Sequence, residues 1–435
     1  MAVRRRGLAA VALAVAGSLL MAACGGDDDS GSAAPTSAGP VSGKFEFFSW
    51  WTGPGDSEGK DALLNLFKQQ NPSITVVDAV VAGGSGTNAQ AVLATRLQSN
   101  DPPDSYQRHA GAELQADIQA GVVKDITSLY DQQGWRDVFP KTLLDMITVD
   151  GKIYSVPVNI HRSNVLWYNP KTLKKAGISG PPKTWNEFLA QAPKLKAAGI
   201  TPLTIGPLWT QEHLLENVLL GELGPDAYAG LWNGSTDWES TQVKAALDTY
   251  TKVLKQSNLK QAAADWQPAL DPIIEGDAAY NVMGDWANTY FLTAKKQKWQ
   301  IDYNATTAPG TEGVFNFLSD SFTDPVGAKN EAATMAWLKL SGSKEGQDAF
   351  NPIKGSIPAR TDGDSSKYTG YSAIPFKDWQ DANAGSVKIV GSLTHGVVAN
   401  NAWKADIETA LGDFVSSGDS GKFASAVKSA YEQDK

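Results

Sequence analysis

The chain of 435 residues has a single cysteine, Cys24, so no disulfide can form within one molecule. Its four histidines, His109, His161, His213 and His395, fall in no metal-ligand spacing such as HExxH. No GxSxG surrounds a serine, and the lone cysteine lies in the amino-terminal leader, so neither marked nucleophile is present. Basic residues are too few to balance the acids, 38 against 47, for a net charge of −9. That sign argues against nucleic acid as a partner and against electrostatic adhesion to an anionic membrane. After the leader no apolar run is long enough to span a bilayer. Gly83-Gly84-Ser85-Gly86 lacks both the Walker lysine and the dinucleotide spacing, and reads as a turn. No internal repeat is visible.

What is present begins with an export signal over 1–23. Arg4-Arg5-Arg6 precede an apolar core, and Ala22-Ala23 precede Cys24. Leu20-Met21-Ala22-Ala23-Cys24 resembles the lipobox of bacterial lipoproteins, with Met21 where leucine is usual. The resemblance implies a lipid on Cys24. Residues 24–43 are small, polar and proline-containing, and read as a flexible tether.

The body is organised around FEFFSWWTG at 45–53. Phe45, Phe47 and Phe48 predict a buried strand, and Thr52-Gly53-Pro54-Gly55 is turn chemistry. Trp50 and Trp51 then stand at the carboxyl end of a strand, where open α/β sheets bind ligands. Either ring could instead be core, as tryptophan often is. Apolar runs alternate with helical patterns to about residue 103, a βαβ rhythm that predicts a largely parallel sheet. Segments 122–129 and 135–144 read as surface elements. Thr184 and Glu187 form a capping box. Residues 351–355 read as a loop, and 381–386 as an inserted surface loop.

Gln107 and His109 alternate in an extended segment and point the same way. Asp265-Trp266 and Asp285-Trp286 pair an acid with an indole, and Asp320 lies at a strand end. Carboxylates beside aromatics serve two chemistries. A glycosidase needs two carboxyls across the bond. A sugar pocket needs charged groups for hydroxyls and an indole for the C–H face of the ring. Each acid taken singly could be a cap or an ion pair.

The succession FSWWTG, NDPPDSYQRHAG, GKIYSVPVNIHRSNVLWYN, WTQEH, NVMGDWA, FLSDSF, GSKEGQDAFNPIKGSIPAR and GSLTHG resembles the extracellular sugar-binding proteins of ABC importers, family 1. The nearest likeness is to glucose/galactose-binding proteins, and it runs from about Phe45 to the carboxyl end. The resemblance implies an α/β, two-lobed, periplasmic-binding-protein-like fold of the maltose-binding type, with a ligand cleft between lobes. It places one lobe at 44–155 plus 319–358 and the other at 156–318 plus 359–435. It implies ligand contacts from Trp50, Trp51, Gln107, His109, Trp266, Asp320, Lys354 and His395, supported by Trp209, Asn281, Asp285 and Trp286. It implies no catalytic residue, metal or cofactor. A monomer that captures glucose or galactose and hands it to the ABC permease subunits is the expected function, at the outer face of the cytoplasmic membrane. An oligosaccharide receptor, a secreted glycosidase and a passive adhesin are the alternatives.

Overall fold

A computed structural model describes residues 41–434. The signal, Cys24 and the tether as far as residue 40 lie outside the described residues. Strand Gly43–Ser49 pairs in parallel with Ile74–Val80 on one side and Ser105–His109 on the other. Phe47 and Phe48, on opposite faces, are both buried, so layers cover both sides of the sheet here, which is why the strand reads as a phenylalanine run and not as an alternation. The sheet is not parallel throughout. Asp320–Thr323 joins antiparallel to Ser105–His109, and Ser155–Pro157 joins antiparallel to Asp320–Thr323.

Phe45, Phe47, Phe67 and Phe322 all pack on one indole, Trp337 of helix Glu331–Ser341, with ring centroids 5.1–5.7 Å away. Two further sheets follow. Asn304–Thr307, Val165–Tyr168, Ala278–Val282 and Thr201–Leu203 make one. Lys388–Gly391, Val314–Leu318 and His161–Arg162 make the other.

Two chain segments run side by side between the first sheet and the third. Ser321 pairs with Pro157, and three residues earlier Leu318 pairs with His161. Ile357 joins them through a bridge to Ile160. Every backbone group in such a crossing needs a partner because it is buried. Here Val158 N–H donates to the Asp320 carbonyl at 2.9 Å.

Several local expectations change. Residues 351–354 are not a loop but the last turn of helix Lys344–Lys354, with Pro352 inside it. A proline frees the carbonyl four residues back. That carbonyl, on Asp348, accepts from Lys367 Nζ at 3.3 Å instead. Residues 381–383 end helix Ala373–Asn383, whose Trp379 packs on Phe315 and Phe317, so 381–386 is not wholly a loop. Val123, Ile126, Leu129, Trp135 and Leu143 are buried, so 122–129 and 135–144 contribute core as well as surface. Thr184 Oγ1 caps Glu187 N–H at 3.1 Å, but the Glu187 carboxylate reaches back to Lys183 N–H. Among the described residues no helix is long and apolar enough to cross a membrane.

Trp337→Ala should destabilise the protein by about 3–5 kcal/mol, the usual cost of deleting a buried aromatic. Denaturant unfolding would show it as a lower midpoint at unchanged slope.

Candidate functional site

A cavity opens at the carboxyl ends of the strands, where the two crossing segments meet. From the first sheet it receives Trp50 and Trp51 after Gly43–Ser49, His109 at the end of Ser105–His109, and Asp320. From the other side come Trp209 of helix Leu208–Leu223, Trp266, Trp286 and His395. His161 and Lys354 line it near the crossings. The space open to the centre of a water molecule is about 70 Å³.

Asp320 is fixed before any ligand arrives. Its Oδ1 accepts from Gln107 Nε2 and its Oδ2 from Asn159 Nδ2, both at 2.7 Å, while its own N–H donates to Asn159 at 2.8 Å. A carboxylate has about four acceptor positions, so each oxygen keeps one for a ligand. His109 Nε2 stands 3.6 Å from Oδ1. Gln107 and His109 thus reach the same carboxylate, as alternation along a strand requires. Gln107, however, does not line the cavity. Its other end accepts from Trp50 N–H at 3.3 Å, so it sets the positions of Trp50 and Asp320.

Lys354 is buried beside Asp56 Oδ1 at 2.8 Å and His161 Nε2 at 3.1 Å. An ammonium only donates, so His161 must accept there with Nε2 and carry its proton on Nδ1, against Asp285. Burial and the neighbouring Lys354 charge push the His161 pKa well down. Asp285 also accepts from Arg162 N–H at 2.8 Å and does not line the cavity. Asn281 lies away as well, bonded to Thr204. Trp209 and Trp286 do line the cavity, a more direct place than the supporting one expected of them.

All four histidines gather here. His395 has ring centroids of His109 and His213 at 5.7 and 5.6 Å, and Trp286, 5.1 Å away, packs on His161 at 5.4 Å. Burial lowers the His213 pKa to about 3. His213, Glu216 and His395 bring ligand atoms within 4.8 Å of one another. A metal does not suit them, because the Glu216 carboxylate already accepts from Leu393 N–H at 2.7 Å, Thr394 N–H at 3.1 Å and three side chains.

Sequence reading missed the wall formed by Gly83, Gly84 and Ser85. A Cβ on Gly84 would lie 2.7 Å from Trp209 Nε1, so only glycine lets this turn rest on that ring. Ser85 Oγ donates across to the Thr394 carbonyl at 3.2 Å. It also missed Glu216. The signal was an acid inside the apolar run LLENVLL, three residues after His213.

The sequence model for bacterial extracellular solute-binding proteins matches residues 50–348. The chain belongs to that family. The solute-binding protein is 33% identical over 420 residues to an "Uncharacterized ABC transporter extracellular-binding protein" of Pyrococcus horikoshii, covering 96% of this chain and 93% of that one. It is 27% identical over 381 residues to a "Xylose/arabinose-binding protein" of Haloferax volcanii, covering 85% and 80%. Among solved structures, a "Chitin oligosaccharide binding protein" superposes with a TM-score of 0.76 at 20% identity, covering 90% of this solute-binding protein and 98% of that chain. The fold is the two-lobed, maltose-binding type expected from sequence.

Behind the cavity, Glu212 is buried with Lys404 Nζ 3.9 Å away, but Lys404 sits closer to Glu408, at 2.9 Å. Burial therefore outweighs the lysine and pushes the Glu212 pKa up to about 8. A raised carboxyl pKa costs stability as pH rises from the unfolded value through the folded one. Glu212→Gln does not titrate. Its stability relative to the native protein should therefore rise by roughly 3 kcal/mol between about pH 5 and 8. Urea melts of both proteins across that range would measure it.

Proposed function

We propose that this solute-binding protein captures one monosaccharide, glucose or galactose, between its lobes and delivers it to an ABC import permease. The observation that carries the reading is the cavity wall. Five tryptophans, Trp50, Trp51, Trp209, Trp266 and Trp286, supply apolar faces beside Asp320, Lys354, His109 and His395. Indole faces suit the C–H side of a pyranose, and buried charged groups suit its hydroxyls. The size is consistent with one ring: 70 Å³ holds about five waters at roughly 15 Å³ each. The pentose-binding name of the Haloferax relative points the same way. The lobes would close about the crossings near 157–161 and 318–320, with sugar stabilising the closed population. The protein would act as a monomer without cofactor or catalysis, held at the outer membrane face by a lipid on Cys24.

One observation favours a longer ligand. A groove beside Trp209 and Asp265, lined also by Thr87, Asn88, Leu208 and Glu408, continues from the cavity mouth. The chitin-oligosaccharide name of the structural relative accords with it. Tighter binding of maltose or cellobiose than of glucose would decide for that reading. For a glycosidase, release of product from a chromogenic glycoside would be required.

Calorimetry against glucose, galactose, xylose and maltose should give a monosaccharide Kd in the micromolar range or tighter, about −8 kcal/mol. No heat with any monosaccharide would sink the assignment. Trp51 is a poor place to test it, because its ring also packs on Phe47, Phe322 and Phe350. Trp266, which packs on Tyr290 alone among the aromatic rings, is better. Trp266→Ala should weaken binding about tenfold or more, ~1.4 kcal/mol, measured at a temperature where its unfolding curve shows the variant still folded.

A further inference from the structure

The segment that carries His395 into the cavity is built on a buried acid. Helix Leu208–Leu223 places Glu216 beneath the turn after strand Lys388–Gly391. Glu216 Oε2 accepts from Leu393 N–H at 2.7 Å and from Thr394 N–H at 3.1 Å. Backbone N–H groups can only donate, so Oε2 is an acceptor whatever the charge on the carboxyl. Ser392 Oγ lies 2.9 Å from that same oxygen. With Glu216 ionised, the hydroxyl gives its one proton to the carboxylate, whose Oε1 is also within 3.1 Å, and it can only accept from His395 Nδ1, at 2.9 Å. The His395 amide donates to the same Oγ at 3.3 Å. The direction of each bond follows from counting protons, and it leaves Nε2 as the nitrogen free to face the cavity.

The neighbouring histidines follow the same rule. His109 Nδ1 lies 3.0 Å from Glu113 Oε2, and His161 Nδ1 lies on Asp285 while its Nε2 accepts from Lys354. In each case an acid stands behind Nδ1. Burial and the surrounding histidines hold the His395 pKa well down, consistent with a neutral ring.

We propose that Glu216, acting through Ser392, is a positioning residue that locks His395 in the Nδ1–H form, so that its Nε2 meets the ligand as a hydrogen-bond acceptor. The ligand must therefore offer a donor at that place. This rests on the sugar-binding reading, in which the donor is one ring hydroxyl. A ligand bearing only an acceptor there, such as an ether, a ketone or fluorine, is rejected. Glu216 touches no ligand itself; it selects by fixing the sense of one hydrogen bond.

The test uses the full chain labelled with 15N-histidine, and two-bond 1H–15N spectra that distinguish a protonated from an unprotonated ring nitrogen. Without ligand, His395 should show Nδ1–H and a bare Nε2. Glu216→Leu, which removes the acceptor for the Ser392 hydroxyl, should move the ring toward the Nε2–H form. Ser392→Ala should do the same while keeping the Glu216 bonds to Leu393 and Thr394, so it serves if the buried substitution prevents folding. An Nε2–H ring in the native protein overturns the proposal, as does an unchanged tautomer in a folded variant. The spectrum needs no sugar, so it gives its answer even if glucose fails to bind and the monosaccharide reading falls. Where glucose binds, its monodeoxy and monodeoxyfluoro analogues supply the second readout. At one hydroxyl position both should lose about tenfold or more in the native protein, because fluorine cannot donate. Retention of native affinity by the fluoro sugar at every position would overturn the acceptor role.

Discussion

The structure depends on the hydrogen bonds that hold Asp320 at the crossing of its two lobes. The residue begins one antiparallel run just after another ends at Leu318, with Leu318 paired to His161 and Ser321 to Pro157. Its carbonyl, amide and both carboxylate oxygens are engaged by Val158, Asn159 and Gln107. A charge this deeply buried is tolerated only when its hydrogen bonds are made. Meeting that requirement also fixes a cavity-lining carboxylate where the two crossing segments run side by side. Backbone satisfaction and site geometry are therefore one constraint here.

How much of this was legible in the sequence depends on which rule each residue obeys. Strand ends were legible, because a phenylalanine run bounded by turn chemistry announces both a buried strand and where it stops. That placed Trp50 and Trp51 at one strand end and Asp320 at another, and the family motifs brought them together with His109, Trp266, Lys354 and His395. Gln107 was expected to contact the ligand, and the structure has it tie the Asp320 carboxylate to the Trp50 amide. Strand alternation says which way a side chain points, and says nothing of whether a second residue stands between it and the cavity. Lys354 was found through its motif while its local structure was misread. Pro352 looks like a helix breaker, and the Lys367 that takes over the freed Asp348 carbonyl lies well outside the local pattern. The mixed sheet was illegible for a similar reason. The strand that turns it antiparallel, Asp320–Thr323, arrives more than two hundred residues later, and no local pattern records its direction.

Glu216 lay furthest from reach. Read singly, an acid in an apolar helical run is an exception to burial, and its purpose is written in residues 163, 316 and 392–394. The general reason for such acids lies in what a buried imidazole lacks. Neutral histidine has one donor and one acceptor, and in water the two forms interchange freely. A site that recognises hydroxyls, each able to donate or accept, gains no discrimination from a ring that can do either. Tying Nδ1 to Glu113, Asp285 or the Ser392–Glu216 pair removes that freedom before the ligand binds, so the ordering cost falls on folding and not on recognition. The buried carboxylates are individually unfavourable. Glu212, which lacks such a network, shows the penalty as a pKa of about 8. Glu216, one helical turn further on, is also pushed up by burial, but two backbone amides and three side chains donate to it. The difference between these two neighbours is the clearest physical sign that Glu216 has been built into the site and that Glu212 has not.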